Sequence, residues 1–189
     1  MPPFENQDFD SLLLKPFELN GGIRFETYAG GGRSGHCFKV RIRKKDYALK
    51  MFKFDNPELN VCRLRGTERR AFHDPFYIEC PAYGTLIEQG FNGHITTFCY
   101  GWIDVPCSVE LHVPSQFGIQ PVLWDKPADV DHQQVRGILL EWVDGRPPTQ
   151  IVMTSNIANQ ARKLLKALHG VGILHGGVAA SNLLVEESN

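Results

Sequence analysis

The sequence predicts an α+β fold, an antiparallel sheet followed by helices. A glycine-rich turn near residue 30 is followed by two short β-favouring segments with a polar turn between them, as in a hairpin. Apolar residues recur at helical spacing after Asp74-Pro75, a good N-cap followed by proline at the first helical position. A second, clearer helical repeat covers 155–169 and ends at two glycines.

The composition fits one modest globular unit that lies inside the cell. The chain has 189 residues, 42% of them hydrophobic, and a net charge of −1, so it can bury a core but lacks the positive charge typical of nucleic-acid binding. Its five cysteines are odd in number and form no CxxC pair, which is typical of reduced thiols and not of a disulfide framework or a zinc site. The polar start, MPPFENQDFD, predicts neither a signal peptide nor a membrane span. We therefore expect a cytoplasmic or nuclear protein.

The stretch 30–50 is the one around which the chain is organised. Gly30, Gly32 and Gly35 form a G-x-G-x-x-G pattern. An alternating strand follows the glycines instead of a capped helix, which argues against a dinucleotide-binding fold. The glycines are also not followed by Lys-Ser or Lys-Thr, which argues against a phosphate-binding P-loop. The glycine turn, a strand, a polar turn and a second strand with Lys50 leave two interpretations. One is a hairpin that covers nucleotide phosphates, and the other is an ordinary hairpin with a surface lysine.

The elements on either side extend this sheet and add a helix. Residues 22–29 predict the first strand, with Ile23, Phe25 and Thr27 on one face. In the helix after Asp74, Glu79 falls on the apolar stripe. A carboxylate there needs a partner, and Lys50 is the obvious candidate, the alternative being a Glu that reaches solvent. Pro81 lies inside this helix, so the helix either kinks or begins near Cys80.

The middle of the chain predicts two more strands with a long insertion between them. Residues 95–103 and 137–143 are apolar and β-favouring, and the second is followed by a Gly/Pro break. The segment 104–136 is too long for a simple connection, and we expect it to form a small extra hairpin. Its His112 and His132 lack acidic or cysteine partners at ligand spacing, so we predict no metal site there.

The residues after the long helix resemble the catalytic loop of protein kinases. His175-Gly176-Gly177, four residues, Asn182 and an apolar strand match the His-Arg-Asp or His-Gly-Asp pattern, especially that of fungal-type kinase-like proteins. With the glycine turn, strand lysine and helix glutamate in the same order, the resemblance covers residues 22–185. It implies an N-terminal lead-in (1–21), a kinase-like small lobe (22–145) with an insertion at about 104–136, and the start of a large lobe (146–189).

The resemblance also implies an ATP site. It assigns Gly30, Gly32, Gly35 and Lys50 to the phosphates, Glu79 to holding Lys50, the backbones of Glu141 and Val143 to the adenine, and Asn182 to one metal-facing position. Leu140 would be the residue at the back of the adenine pocket.

Two departures from the kinase pattern argue against catalysis. Gly177 stands where kinases have the catalytic aspartate, and glycine can neither orient a hydroxyl nor accept its proton. The sequence ends at Asn189, before the Asp-Phe-Gly whose aspartate holds Mg²⁺ in kinases. We therefore expect no catalytic residue, no metal site, and ATP binding that is weak and independent of Mg²⁺.

Three functional hypotheses follow. The first is an inactive pseudokinase fragment with a binding or scaffold role, whose helix 155–169 exposes Leu164, Leu165 and Leu168 to an unknown protein partner or to a second copy. The second is the N-terminal part of an active serine/threonine-type kinase, cut short by truncation or a gene-model error. The third is an unrelated α+β domain, which predicts that Lys50 lies far from both the glycine turn and Glu79.

Overall fold

A computed structural model gives the architecture of most of the chain. It describes residues 14–56, 58, 69, 72–119, 124–127, 133–175 and 182–186. Gly177 and His132 lie outside the described residues, as does most of the lead-in.

The described residues form a five-stranded antiparallel sheet with helices, which confirms the predicted α+β, kinase-like fold. The strands of this sheet are β1 (Ile23–Gly31), β2 (Gly35–Ile42), β3 (Lys45–Phe52), β4 (Cys99–Asp104) and β5 (Arg136–Glu141). Their spatial order is β1-β2-β3-β5-β4. The helices are α1 (Pro75–Glu88), α2 (Cys107–Gln116) and α3 (Ser155–Gly170). A short pair, β6 (Gly145–Arg146) and β7 (Val185–Glu186), joins the segments on either side of α3. None of the described helices is long and apolar enough to cross a bilayer.

Strand β1 corrects the predicted face of Thr27. Phe25 pairs with Val40 but Thr27 pairs with Lys39, so Glu26 is an extra residue in a β-bulge. A bulge reverses the alternation of side chains beyond it, and Thr27 is therefore exposed while Tyr28 packs against the core beside Phe38. The sequence alternation alone could not show this extra residue.

One face of the sheet is covered by the inserted segment. Phe38, Val40, Leu49 and Leu139 are fully buried on this face, and Val105, Val113, Trp124 and Val135 from the insertion pack against them. The insertion forms helix α2, so the predicted hairpin is wrong. The helix explains the sequence better, because Val105, Val109, Val113 and Phe117 recur every four residues and bring their side chains to the sheet.

The opposite face of the sheet holds α1. Asp74 caps this helix by accepting a hydrogen bond from the Phe76 N–H (3.0 Å), and Pro75 fills the first helical position. Phe76 and Cys80 pack against Ile138 and Phe52 of the sheet. The helix begins at Pro75 and continues through Pro81, so the alternative start near Cys80 is wrong and Glu79 lies within the helix.

The last elements largely follow the sequence prediction. Strand β4 begins at Cys99 and not at residue 95, because the Asn92 side chain bonds both the N–H and the carbonyl of Cys99 (2.8 and 3.0 Å) and ends the preceding turn there. Helix α3 is capped by Thr154 and covers the predicted range. Leu164 is 44% exposed as expected, whereas Leu168 is only 7% exposed, so the exposed apolar stripe is narrower than predicted.

Candidate functional site

The predicted ion pair between Lys50 and Glu79 is present. Strand β3 directs Lys50 toward α1, and the Lys50 Nζ binds Glu79 Oε1. Both side chains remain partly open to solvent, at 25% and 29% exposure. Lys50 also lies one strand away from the glycine hairpin, since it pairs with Cys37 of β2. The hypothesis of an unrelated fold required these groups to lie apart and is wrong.

The surroundings of this pair are mostly buried and weakly polar. Cys37 faces Lys50, and burial raises the pKa of its thiol although the Lys50 ammonium opposes that shift. Burial also raises the pKa of the Tyr83 hydroxyl, and the Glu79 carboxylate adds to the shift. Both groups are therefore neutral at physiological pH, and the charges at this place belong to the ion pair.

The glycine hairpin has the tight geometry that glycine permits. Gly32 N–H donates to the Gly35 carbonyl (2.9 Å) across the turn. A Cβ at Gly35 would lie well inside contact distance of the Met51 carbonyl oxygen, whereas a Cβ at Gly32 would meet open space. Gly30 has a φ of 132°, which favours glycine. The three predicted glycines therefore form one turn beside β3, and two of them are required by the backbone.

A histidine at the base of this hairpin was missed by the sequence analysis. His36 is only 5% exposed. Its Nδ1 bonds the Tyr28 hydroxyl (3.0 Å), and its ring contacts Trp124 edge-on at 5.5 Å. The alternation of His36 with Phe38 and Val40 along β2 could have predicted this burial. The contact fixes the hairpin to the insertion-covered face of the sheet.

The segment predicted to face the adenine, Glu141 to Val143, lies at the end of β5 and is called the hinge below. The Glu141 N–H donates to the Phe98 carbonyl (2.8 Å), and the Val143 carbonyl accepts from Gly145 N–H (3.1 Å). Leu140 pairs with Ala48 of β3, so it lies on the same face of the sheet as Lys50 and Ile138. The hinge, the glycine hairpin and Lys50 thus lie around one face of the sheet, and this region is called the cleft below.

A cluster at the mouth of this cleft was also missed by sequence reasoning. The Lys39 Nζ lies 4.9 Å from the centre of the Trp142 ring and 3.3 Å from Asp46 Oδ2. The Trp142 indole N–H donates to Asp144 Oδ1 (2.7 Å), which is 4.0 Å from Lys39 Nζ. The contacts join β2 to the hinge, and no spacing in the sequence relates residue 39 to residue 142.

The lower side of the cleft is described only in part. Asn182 lies just before β7 and is exposed, while Gly177 lies outside the described residues. In the portions of the chain that are described, no group of three or more His, Cys, Asp or Glu side chains is placed to hold a metal ion.

The arrangement resembles the upper half of a kinase active site. A strand lysine held by a helix glutamate can attract phosphate oxygens, and a glycine hairpin can offer them backbone N–H groups. Proton transfer needs a positioned base near the substrate hydroxyl. That base would come from the loop around Gly177, which lies outside the described residues, so the described geometry bears on ligand binding alone.

Comparison with known proteins adds a family to this fold. No curated protein sequence matches the chain. The profile of one family, described as the kinetochore Sim4 complex subunit FTA2, matches residues 3–187, which is nearly the whole chain. The chain therefore belongs to the FTA2 family of kinetochore Sim4 complex subunits, and its fold includes the kinase-like small lobe with the Lys50–Glu79 pair.

Proposed function

We propose that this chain is a non-catalytic, protein-binding subunit of a nuclear kinetochore assembly, the Sim4 complex. The observation that carries the proposal is the family match over residues 3–187. The kinase-like small lobe serves as a rigid scaffold, because its sheet has a packed core on both faces and the contact between Lys50 and Glu79 ties α1 to β3.

Phosphoryl transfer by this chain is negligible in our proposal. The sequence has Gly177 at the position of the catalytic aspartate. Loss of a general base alone removes about two to four orders of magnitude in rate. Asn182 supplies one amide oxygen, which holds Mg²⁺ poorly without carboxylates.

A residual nucleotide site is part of the same proposal. Gly30, Gly32, Gly35 and Lys50 would contact the phosphates, and the backbones of Glu141 and Val143 would face the adenine. Binding is weak and independent of Mg²⁺ in this proposal, because no group of three or more His, Cys, Asp or Glu side chains among the described residues is placed to hold a metal ion. A thermal-shift titration with ATP, with and without Mg²⁺, tests this. A large stabilisation that requires Mg²⁺ would contradict it.

The surface that contacts the partner is proposed to be the segment around α3. Five of its apolar side chains are 44–85% exposed: Val152, Met153, Leu164, Leu174 and Leu184. Residues 145–185 contain four Lys or Arg and no Asp or Glu, and Arg162, Lys163 and Lys166 make no ion pair with any described residue. The exposed Leu164 lies between Lys163 and Lys166, and an exposed leucine beside cations that lack a described ion partner favours an acidic, amphipathic segment of a partner subunit.

The experiment is reconstitution with the remaining subunits of the Sim4 complex. We expect the chain to co-elute with them in size-exclusion chromatography as a stoichiometric complex, and to transfer no phosphate from ATP to a generic protein substrate, free or assembled. The second candidate, the N-terminal part of an active kinase, predicts transfer when the sequence is extended beyond Asn189. Failure to co-elute would overturn the proposed function.

A further inference from the structure

The sheet geometry places Lys39 above the adenine side of the cleft. Lys39 pairs with Ala48, and Ala48 pairs with Leu140 at the end of β5. The neighbouring row on the same face, two residues along each strand, is Cys37, Lys50 and Ile138. The first row therefore leads from β2 to the hinge, and the second carries the lysine that faces Glu79.

The Lys39 side chain spans this row and contacts the hinge. Its ammonium lies over the Trp142 ring at 4.9 Å, and Asp144 accepts the Trp142 indole N–H at 2.7 Å while lying 4.0 Å from the same ammonium. A cation over an indole face is held by the ring quadrupole. The Asp144 carboxylate accepts a charge-assisted hydrogen bond from the indole N–H, and it attracts the Lys39 ammonium from 4.0 Å without a hydrogen bond. Asp46 on β3, 3.3 Å from Lys39 Nζ, directs the lysine to this position.

Two residues of the row that Lys39 spans have little exposed surface. Ala48 is only 9% exposed, and Leu140 at the end of β5 is partly buried. Two cavities of the described structure lie elsewhere, one beside Phe52 and Arg136 and one of about 340 Å³ between β1 and α2. Neither includes Lys39, Trp142 or Lys50.

We infer that Lys39, Trp142 and Asp144 form a closed latch across the adenine side of the cleft, and that a purine nucleotide enters only when this latch opens. The inference rests on the proposed residual nucleotide site and explains its weakness. When only a small fraction of the molecules can bind, the apparent dissociation constant equals the intrinsic constant divided by that fraction. The latch thus determines which ligands the cleft accepts, while Lys50 and the glycine hairpin remain available to small anions.

The test is a titration of the full chain with ATP that carries a fluorescent group on its ribose, followed by anisotropy without Mg²⁺. We expect Lys39→Ala to bind at least about tenfold more tightly than the wild type, which corresponds to ~1.4 kcal/mol, although the substitution removes a positive charge. Trp142→Ala, which removes the ring itself, should do the same. Addition of Lys50→Met to either variant should abolish this increase in affinity, because the nucleotide binds in the cleft that contains Lys50.

The matched control is Lys45→Ala. Lys45 is in the same hairpin and donates to the Tyr100 hydroxyl at 2.6 Å, so this variant has the same change in charge without touching the latch. It should bind no more tightly than the wild type. A second readout is the quenching of Trp142 fluorescence by acrylamide, with the Trp142 signal obtained by subtracting the spectrum of Trp142→Phe. This quenching should increase in Lys39→Ala but not in Lys45→Ala.

The inference is overturned if Lys39→Ala and Trp142→Ala bind the nucleotide no better than the wild type, or if Lys45→Ala gains as much. Failure of the chain to assemble with Sim4 subunits would instead contradict the proposed function and leave the binding result as it stands.

Discussion

Gly35 is the residue on which the glycine hairpin depends most. A Cβ there would enter the space of the Met51 carbonyl oxygen, whereas one at Gly32 would meet nothing within 4 Å. We predict that Gly35→Ala lowers the free energy of unfolding by about 1–3 kcal/mol. Gly32→Ala should change it by no more than about 0.5 kcal/mol. Urea denaturation of both variants checks this, and equal effects would show that the turn has relaxed around the new side chain.

The Lys50–Glu79 pair contributes more to position than to stability. Both side chains are at least one quarter exposed, and ion pairs that water can reach contribute about 0–1 kcal/mol. A double-mutant cycle with Lys50→Met and Glu79→Gln should therefore give a coupling free energy near or below ~1 kcal/mol, smaller at high salt. A coupling of several kcal/mol would show that the pair is shielded from solvent.

At the level of single residues, the sequence predicted the Lys50–Glu79 ion pair better than the contacts of Lys39 and His36. The Lys50–Glu79 contact followed from a carboxylate on an apolar stripe, which requires a cation. Nothing comparable predicted the latch, because Lys39 and Trp142 meet only through the register of three strands. Burial of His36 was predictable from alternation, but its bond to Tyr28 depends on the bulge in β1.

Helix α1 has a cap whose charge depends on pH. Burial raises the pKa of Asp74 from 3.8 to about 6, although the Phe76 N–H and the Arg136 guanidinium act in the opposite direction. A carboxyl group whose pKa is higher in the folded than in the unfolded chain stabilises the fold in its protonated form. This contribution is complete at pH values below the pKa of the unfolded chain, and it is lost as the pH rises through about 6.

We predict that Asp74→Asn flattens this dependence. Asparagine caps a helix about as well as aspartate but does not titrate. Between pH 4 and pH 7 the stability of the variant relative to the wild type should therefore rise, by up to about 3 kcal/mol. Denaturation curves at several pH values measure this difference. A difference that stays constant with pH would mean that Asp74 is ionised normally in the fold.

The elements show where sequence reasoning succeeds and where it stops. Helix α3 was predicted within a residue because its periodicity and the glycines at its end agree, whereas for α1 the cap and periodicity agree but Pro81 left its start open between Pro75 and Cys80. Helix α2 was read as a hairpin because its strand-like letters, VELHV, hid the four-residue repeat that packs it on the sheet. The start of β4 depends on the side chain of Asn92, seven residues before Cys99, which no local pattern contains.

At the scale of the molecule, the small lobe and the α3 segment differ in character. The sheet is covered on both faces, while the segment around α3 combines exposed leucines with Arg162, Lys163 and Lys166, which make no ion pair with any described residue. We predict that Leu164→Glu weakens assembly with the other Sim4 subunits at least about tenfold while leaving the thermal midpoint unchanged, because Leu164 is 44% exposed. Leu111→Glu on α2, at 74% exposure, is the control and should assemble normally. Equal loss in both variants would place the contact elsewhere.

The most direct test of a non-catalytic scaffold is to assemble the complex with the wild-type chain and with Lys50→Met, and to compare their co-elution and their turnover of ATP. Lys50 is a residue that phosphoryl transfer in this cleft would require, because the strand lysine holds the nucleotide phosphates in kinases. Our account predicts that both chains enter the complex in equal yield and that neither complex transfers phosphate. Phosphate transfer by the wild-type complex that Lys50→Met abolishes would contradict it.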